Sequence, residues 1–239
     1  MAKTYNFSAG PGVLPDEVIT QIKQEFERNE HTHMSIIEIS HRSAQFQAIV
    51  TEAEQKLREL MAIPEDYAVI FLQGGGSTQF EMIPLNFATN QSHIAILDSG
   101  NFAAKASEAA EMLGKQATVL NSTKGINYQK LPILPEHFDP ELYDYLHIVT
   151  NNTIEGTTFH QDNLPSTTGR LVADMSSNIL AEPYDINAFD AVFAGGQKNL
   201  GPAGVTVAII KKDWLAQQDV RHVGPMMRYQ NHRSEERRV

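Results

Sequence analysis

The stretch Ala191-Val-Phe-Ala-Gly-Gly-Gln-Lys-Asn-Leu-Gly-Pro-Ala-Gly204 places a single lysine, Lys198, in a bed of small residues. An apolar run precedes it and another, Val205–Ile210, follows it, and both are typical of buried strands. Incomplete hydration lowers the pKa of a lysine amine toward the range in which it attacks a carbonyl carbon. The stretch therefore predicts a Schiff-base lysine at a strand end, and the alternative is a surface lysine on a glycine-rich turn.

A second strand end lies 24 residues upstream of Lys198. The run Arg170-Leu-Val-Ala-Asp-Met-Ser-Ser177 brings a predicted strand to an end at the carboxylate of Asp174. An Asp and a Lys at two strand ends form the pairing that a pyridoxal phosphate site requires. The carboxylate keeps the pyridine nitrogen protonated, and the lysine binds the cofactor as an imine. We therefore predict a pyridoxal phosphate site with Lys198 as its catalytic residue.

The composition is that of an acidic globular protein. Its 239 residues are 41% hydrophobic and 8% aromatic, which suffices for a sizeable core. The formal charge of −10 argues against nucleic-acid binding. The lack of cysteine excludes disulfides and thiolate metal sites and fits a reducing compartment. Because neither a signal-peptide core nor a membrane-length apolar run occurs, we expect a cytoplasmic protein with no membrane partner.

Strand and helix patterns alternate along the chain. Helices are predicted over Pro15–Asn29, Ala44–Met61, Thr78–Phe87 and Phe102–Leu113. Strands are predicted at Ala68–Leu72, His93–Leu97, Ala117–Leu120, Leu146–Val149, Leu171–Ala173, Ala191–Phe193 and Val205–Ile210. This alternation is typical of an α/β fold whose mostly parallel central sheet is flanked by helices.

A glycine-rich segment, Phe71-Leu-Gln-Gly-Gly-Gly-Ser-Thr-Gln-Phe80, has the pattern of a strand, a triple-glycine turn and a helix start. Free N–H groups and the positive end of a helix bind anions there. A nucleoside triphosphate is disfavoured because the Gly-Lys-Ser/Thr of a P-loop is missing. The alternative is a tight turn only. Combined with Lys198 and Asp174, the segment predicts a phosphate-binding cup.

Two polar loops supply further candidates. In Ile39-Ser-His-Arg-Ser43, Arg42 can bind a carboxylate or phosphate with two hydrogen bonds, or it is a surface arginine between helices. Asn151-Asn-Thr-Ile-Glu-Gly-Thr157 follows a predicted strand, where open α/β sheets bind ligands, or it is a polar turn held by asparagine side chains. The nine histidines, His31 and His33 among them, lack ligand-like spacing, so we predict no metal site.

Six segments together resemble the phosphoserine aminotransferase family, whose members are class-V pyridoxal phosphate-dependent enzymes. The segments are Asn6-Phe-Ser-Ala-Gly-Pro11, Ile39-Ser-His-Arg-Ser43, Leu72-Gln-Gly-Gly-Gly-Ser-Thr-Gln-Phe80, Thr150-Asn-Asn-Thr-Ile-Glu-Gly156, Ala173-Asp-Met-Ser-Ser-Asn178 and Gly195-Gly-Gln-Lys-Asn-Leu-Gly-Pro-Ala-Gly-Val205. They follow one another in unbroken order. The resemblance implies the aspartate-aminotransferase-like large domain, also called fold type I of the pyridoxal phosphate enzymes.

The resemblance also implies roles for individual residues. Lys198 binds the cofactor and moves the substrate's proton, Asp174 pairs with the pyridinium, and Thr153 contacts the ring on its oxygen side. The phosphate is held by Gly76, Ser77 and Gln197, the ring is stacked by Phe102, and the substrate is anchored by Arg42 with His41 beside it. Family members have a tryptophan at the position of Phe102 and a second serine at that of Ala9. A phenyl ring keeps a π face but has less area and no N–H donor, so we expect weaker stacking.

The implied reaction transfers an amino group between L-glutamate and 3-phosphohydroxypyruvate, giving phosphoserine and 2-oxoglutarate in serine biosynthesis. It extends to 4-phosphohydroxythreonine in pyridoxine biosynthesis. The implied assembly is a homodimer that takes only small-molecule substrates.

For the domain organisation, we expect an N-terminal arm over residues 1–14, a cofactor-binding large domain over 15–232 and a charged tail over 233–239. We also expect the family's C-terminal small domain to be missing. Without it, apolar surface is left uncovered, which predicts aggregation or dependence on a partner chain. One alternative is an inactive cofactor-binding fragment or a subunit that needs an intact partner. Another is a desulfurase or decarboxylase of the same fold.

Overall fold

Seven strands and five α-helices make up the regular structure in the computed structural model, which describes residues 4–28 and 32–233. The strands are β1 Tyr67–Leu72, β2 His93–Asp98, β3 Gln116–Ser122, β4 Tyr145–Val149, β5 Leu171–Asp174, β6 Ala191–Gly195 and β7 Thr206–Lys211. The helices are α1 Asp16–Glu27, α2 Ala44–Met61, α3 Gly75–Phe87, α4 Asn101–Met112 and α5 Lys212–Gln217. All predicted strands and helices are confirmed. The short helix α5, which directly follows β7, was not predicted.

The strands form one sheet in the order β1-β7-β6-β5-β4-β2-β3. Strands β2 to β6 pair in parallel, whereas β7 is antiparallel to both of its neighbours, β6 and β1. The mostly parallel sheet is therefore confirmed. In the register of β4, β5 and β6, Val149 lies beside Asp174 and Asp174 lies beside Phe193. The carboxyl ends of these three strands consequently meet at one edge of the sheet, where ligands bind in this class of fold.

Apolar side chains cover both faces of the sheet. One face packs against helices α3, α4 and α5, with Phe80, Phe87 and Trp214 among the buried residues. The other face packs against the end of α2, at Leu57, and against loop residues such as Phe189. Strands buried on both faces have continuous rather than alternating apolar sequences. This is the reason that runs such as Ala191–Phe193 could be recognised as strands.

The N-terminal part of the chain contrasts with the sheet. Helix α1 contains no buried residue, and Ile19 and Phe26 on its apolar stripe are 50% and 53% exposed. Its contacts within the described residues include those with a short 3-10 helix at Ile36–Glu38. Among the described helices, none has the length and apolar character needed to cross a membrane.

The predicted domain limits remain predictions. Residues 1–3 of the arm, residues 234–239 of the tail, His31, and Asn29 at the end of the first predicted helix lie outside the described residues.

Candidate active site

Lys198 lies on a turn that begins directly after β6. The turn closes through three backbone hydrogen bonds, from Gly196 N–H to the Val205 carbonyl (2.7 Å), and from Leu200 and Gly201 N–H to the Gly196 carbonyl (3.2 and 2.8 Å). The side chain of Asn199 donates to the Ile179 carbonyl at 2.7 Å and ties the turn to the loop after β5. Lys198 is thereby held at the carboxyl edge of the sheet.

The amine of Lys198 is held by two hydroxyl groups. Its Nζ donates to Thr153 Oγ1 at 2.5 Å and to Ser177 Oγ at 2.7 Å, and the two hydroxyls contact each other. The ring centroid of Phe102 lies 5.0 Å from Nζ. Burial lowers the pKa of Lys198, and the opposing charge of Asp174 limits this decrease. The amine therefore reaches its neutral, nucleophilic form at lower pH than a solvated lysine does.

Asp174 is the last residue of β5, and it is almost completely buried. Its Oδ1 accepts a hydrogen bond from Ser176 N–H at 2.8 Å. Burial raises the pKa of Asp174, while the hydrogen bonds from Ser176 and the charge of Lys198 act in the opposite direction. Among the residues that the structure describes, no guanidinium group is bonded to Asp174, and such a buried carboxylate is suited to a cationic N–H group of a ligand.

The glycine-rich segment turns sharply between β1 and α3. Gly74 and Gly75 have φ angles of 96° and 70°, in the left-handed region that glycine enters without strain. Helix α3 begins at Gly75, so the N–H groups of its first turn, which includes Gly76 and Ser77, have no partner within the helix. Together with the positive end of the helix dipole, these groups can hold an anion.

These groups surround one cleft. Its lining includes six of the seven residues predicted to bind the cofactor, namely Gly76, Ser77, Phe102, Asp174, Gln197 and Lys198. Thr153, the seventh, is joined to the cleft through its hydrogen bond with Lys198. The structure thus brings the predicted cofactor-binding residues together, while their individual roles remain predictions.

A larger cleft lies elsewhere and offers less chemistry. Its volume is about 650 Å³, and its walls come from residues 131–136, Phe138, Pro140, Phe159 and residues 163–168. Glu136 is the only titratable side chain among its lining residues. A lone carboxylate supplies neither a nucleophile nor an acid–base pair. The Lys198 cleft is therefore the candidate active site.

The predicted substrate anchor is outside this cleft. His41 and Arg42 are both exposed, in the loop before α2, and neither lines the cleft. The carbonyl of His41 accepts a hydrogen bond from Gln47 Nε2 at 2.8 Å, which fixes the loop to α2. The predicted contact of these two residues with a substrate remains a prediction.

Two features of the site were missed from the sequence. The first is Ser177, three residues after Asp174, and this position was a usable signal because residues just beyond β5 line the cleft. The second is the N-terminal arm, where Gly12 N–H donates to the Gln197 carbonyl at 2.7 Å. No local pattern indicates that contact, since it joins segments far apart in the chain.

Comparison with known proteins finds relatives that are similar to nearly the whole of this chain. The chain is 68% identical over 228 residues to phosphoserine aminotransferase of Leuconostoc mesenteroides, covering 95% of this chain and 63% of that protein. With the protein of that name from Lactobacillus helveticus, identity is 48% over 227 residues, covering 95% and 60%. The solved phosphoserine aminotransferase from Bacillus circulans subsp. alkalophilus matches with a TM-score of 0.89 and 43% identity, covering 96% of this chain and 63% of that chain. This chain spans less than two thirds of the length of these relatives.

The structural match confirms the aspartate-aminotransferase-like fold predicted from the sequence. A family model gives the same assignment from sequence alone, because residues 4–237 match Aminotransferase class-V. That range includes every strand of the sheet and all residues of the Lys198 cleft. The chain therefore belongs to the class-V aminotransferase family.

Proposed function

We propose that this chain is the cofactor-binding part of a pyridoxal phosphate-dependent phosphoserine aminotransferase. The reaction transfers an amino group between L-glutamate and 3-phosphohydroxypyruvate. The proposal rests mainly on one observation, the half-buried Lys198 amine in a cleft that it shares with Asp174 and the N-terminus of α3. The names of the relatives supply the substrate class.

The residues present suit each part of pyridoxal phosphate. Lys198 would bind the aldehyde carbon, Asp174 would accept a hydrogen bond from the protonated ring nitrogen, and the phosphate would lie at the start of α3. The volume of the cleft, about 80 Å³, is well below the roughly 300 Å³ at which common ligand pockets begin. Binding of the cofactor therefore requires side chains around the cleft to move.

The protein's own groups would then divide the work of the reaction. Bound pyridoxal phosphate supplies an electron sink for the electron pair left on the substrate's α-carbon. The Lys198 amine, which burial favours in its neutral form, would take the proton from that carbon and, as a general acid, would deliver it to the cofactor's former aldehyde carbon. Thr153 and Ser177 orient the amine through their hydroxyl oxygens. Arg42, with His41 beside it, would bind a substrate carboxylate or phosphate.

A second candidate is a subunit that works only beside an intact chain, or binds the cofactor without turnover. The exposed apolar stripe of α1 favours the partner-dependent subunit. Exposed apolar side chains such as Phe26 and Ile19 are typical of a surface that binds another protein. The same face is compatible with the homodimer implied by the resemblance.

Turnover in the presence of the two substrates tests the proposal. We expect the chain, incubated with pyridoxal phosphate, L-glutamate and 3-phosphohydroxypyruvate, to release 2-oxoglutarate, and the Lys198→Ala variant to release none. Hydroxypyruvate without its phosphate serves as the matched substrate, and an equal rate would contradict the preference for a phosphorylated oxo acid. 4-Phosphohydroxythreonine is assayed in the same way.

Two further preparations separate the candidates. In the first, this chain is joined to the C-terminal third of the Leuconostoc mesenteroides relative. In the second, this chain is mixed with the intact relative, in which the corresponding lysine has been replaced so that the relative itself is inactive. Activity only in these preparations favours the partner-dependent subunit. Absence of turnover in all three, with the cofactor bound, contradicts the proposed reaction.

A further inference from the structure

We propose that Glu155 is a positioning residue for Lys198. Its carboxylate joins the start of α4, which carries Phe102, to the loop after β4, which carries Thr153. These are two of the groups that surround the lysine amine. Glu155 is absent from the lining of the cleft, so it acts through these neighbours rather than on a ligand.

The first link is a hydrogen bond across the sheet edge. Glu155 Oε1 accepts from the backbone N–H of Asn101 at 2.8 Å, and Asn101 is the first residue of α4. A carboxylate is favoured at this place because the helix N-terminus has free N–H groups and a positive dipole end. The two residues are 54 positions apart, so the bond connects two separate segments.

Gly100 leaves room for this contact. Its backbone is extended, with φ of 163°, so its conformation is open to other residues. The space beside Gly100, however, does not admit a side chain, because a Cβ atom at position 100 would lie 2.6 Å from Glu155 Oε2 and 2.7 Å from its Cδ. A side chain there would push the carboxylate away from Asn101.

The second link leads from each segment to the lysine. Phe102 follows Asn101 directly, and its ring centroid lies 5.0 Å from Lys198 Nζ. Thr153 precedes Glu155 by two residues and accepts from the same Nζ at 2.5 Å. Backbone bonds of Asn152, to the Thr157 carbonyl (2.8 Å) and from Gly156 N–H (2.7 Å), make the loop one unit. A shift of Glu155 therefore changes the spacing of Phe102 and Thr153 around the amine.

A second hydrogen bond between the same two segments limits the expected effect of removing Glu155. Ser99 Oγ donates to Asn152 Oδ1 at 3.0 Å, which also joins the residues before α4 to this loop. Removing the Glu155 carboxylate should therefore loosen the surroundings of Lys198 without dispersing them.

When Glu155 is removed, the direction in which the pKa of Lys198 changes distinguishes a positioning role of Glu155 from a simple effect of its negative charge. Burial is the larger cause of the lowered pKa, so a loosened, better hydrated amine has a higher pKa. Loss of a negative charge near an ammonium group acts in the opposite direction and lowers its pKa. Positioning therefore predicts a rise after removal of Glu155, and a simple charge effect predicts a fall.

The test uses the full chain without cofactor, so its outcome does not depend on the proposed function. Competitive labelling of lysines with acetic anhydride over a pH series, read by peptide mass spectrometry, gives the pKa of Lys198. For Glu155→Ala we expect a higher pKa and about threefold slower labelling of Lys198 below that pKa. Glu155→Gln, whose amide oxygen can still accept from Asn101, should restore the parent value.

Asp139→Asn is the matched control, because Asp139 also accepts a backbone N–H at a helix start, that of Glu141 at 3.1 Å, and does not line the cleft. It should leave the Lys198 pKa unchanged. An unchanged or lower pKa in Glu155→Ala overturns the proposal, and so does an equal rise in the control. If circular dichroism shows that Glu155→Ala is unfolded, Gly100→Ala replaces it, because the added methyl group displaces the Glu155 carboxylate. The same rise in the Lys198 pKa is then expected, and an unchanged or lower pKa again overturns the proposal.

Discussion

The strand end at β6 and the helix α1 have similarly clear apolar patterns and opposite environments. Every residue of β6 is buried, with Phe193 fully enclosed, whereas α1 buries none of its residues. Both patterns were readable from the sequence, as a continuous run and as an amphipathic stripe. An apolar pattern therefore predicts which face of a helix or strand is apolar, but not which surface of the protein covers that face.

The difference bears directly on the candidate site. Thr153, Asp174 and Lys198 lie at or shortly after the ends of β4, β5 and β6, whose side chains pack on both faces of the sheet. Helix α1 contributes nothing to that packing within the described residues. We therefore expect changes in the core below the site to be costly and changes in α1 to have little effect on the isolated chain.

Phe193→Ala is the change with the largest expected effect. Phe193 is fully buried, and its ring meets that of Phe80 edge to face at 6.0 Å and stacks on His147 at 6.2 Å. Truncation of a buried phenylalanine leaves a cavity and costs about 3–5 kcal/mol. Urea denaturation should show that loss, and a loss below about 1 kcal/mol would contradict the assignment of this region as the core.

His147→Phe tests the same region through pH. Burial lowers the pKa of His147 from 6.5 to about 4, so the native state holds it neutral. The stability this contributes is present above pH 6.5 and is lost as the pH falls toward 4, by about 3 kcal/mol. The variant should lack this part of the acid destabilisation, because phenylalanine does not titrate.

The measurement for His147→Phe is the free energy of unfolding at a series of pH values for both chains. The opposite contribution of Asp174, whose pKa is raised by burial, is common to both and cancels in the difference. Parallel curves for the two chains would show that His147 is hydrated in the native state.

Tyr229→Phe has a smaller expected effect and compares the two ends of the described chain. Unlike α1, the segment at Tyr229 is tied to the core, because its hydroxyl donates to Gln79 Oε1 at 2.6 Å and both side chains are fully buried. Loss of the hydroxyl leaves the Gln79 oxygen unpaired, at a cost of about 1–3 kcal/mol. Chemical denaturation measures this cost, and no change would mean that water reaches Gln79.

Phe26→Ala has the smallest expected effect and is the counterpart of Phe193→Ala. The same substitution on α1 removes a side chain that is already 53% exposed. We expect a loss of stability below about 1 kcal/mol in the isolated chain. A loss similar to that of Phe193→Ala would show that α1 is covered in solution, either by this chain or by a second copy. Sedimentation at two concentrations distinguishes these outcomes.

The sequence predicted the sheet and the centre of the site for a physical reason. Strands buried on both faces need continuous apolar runs, and a charged residue directly after such a run, such as Asp174, lies at the sheet edge. Contacts between distant segments left no local signal, as in the Gly12–Gln197 hydrogen bond and the Glu155–Asn101 hydrogen bond. The antiparallel direction of β7 was likewise hidden, because its apolar run reads the same in both directions.

Arg42 has a role that the family resemblance implies but that the geometry of the described residues does not show. The resemblance predicts that Arg42 anchors the substrate, and the structure places it exposed in the loop before α2 and outside the cleft. A shared motif indicates which type of residue occupies a position. The distance of that residue from a ligand depends on the surfaces that pack around its loop.

We expect Lys198 to be the residue that binds pyridoxal phosphate. Reduction of the purified chain with borohydride in the presence of pyridoxal phosphate, followed by peptide mass spectrometry, tests this expectation most directly. We predict a phosphopyridoxyl adduct confined to Lys198, and its loss in Lys198→Ala without new adducts elsewhere. No adduct, or an adduct spread over many lysines, would contradict the account.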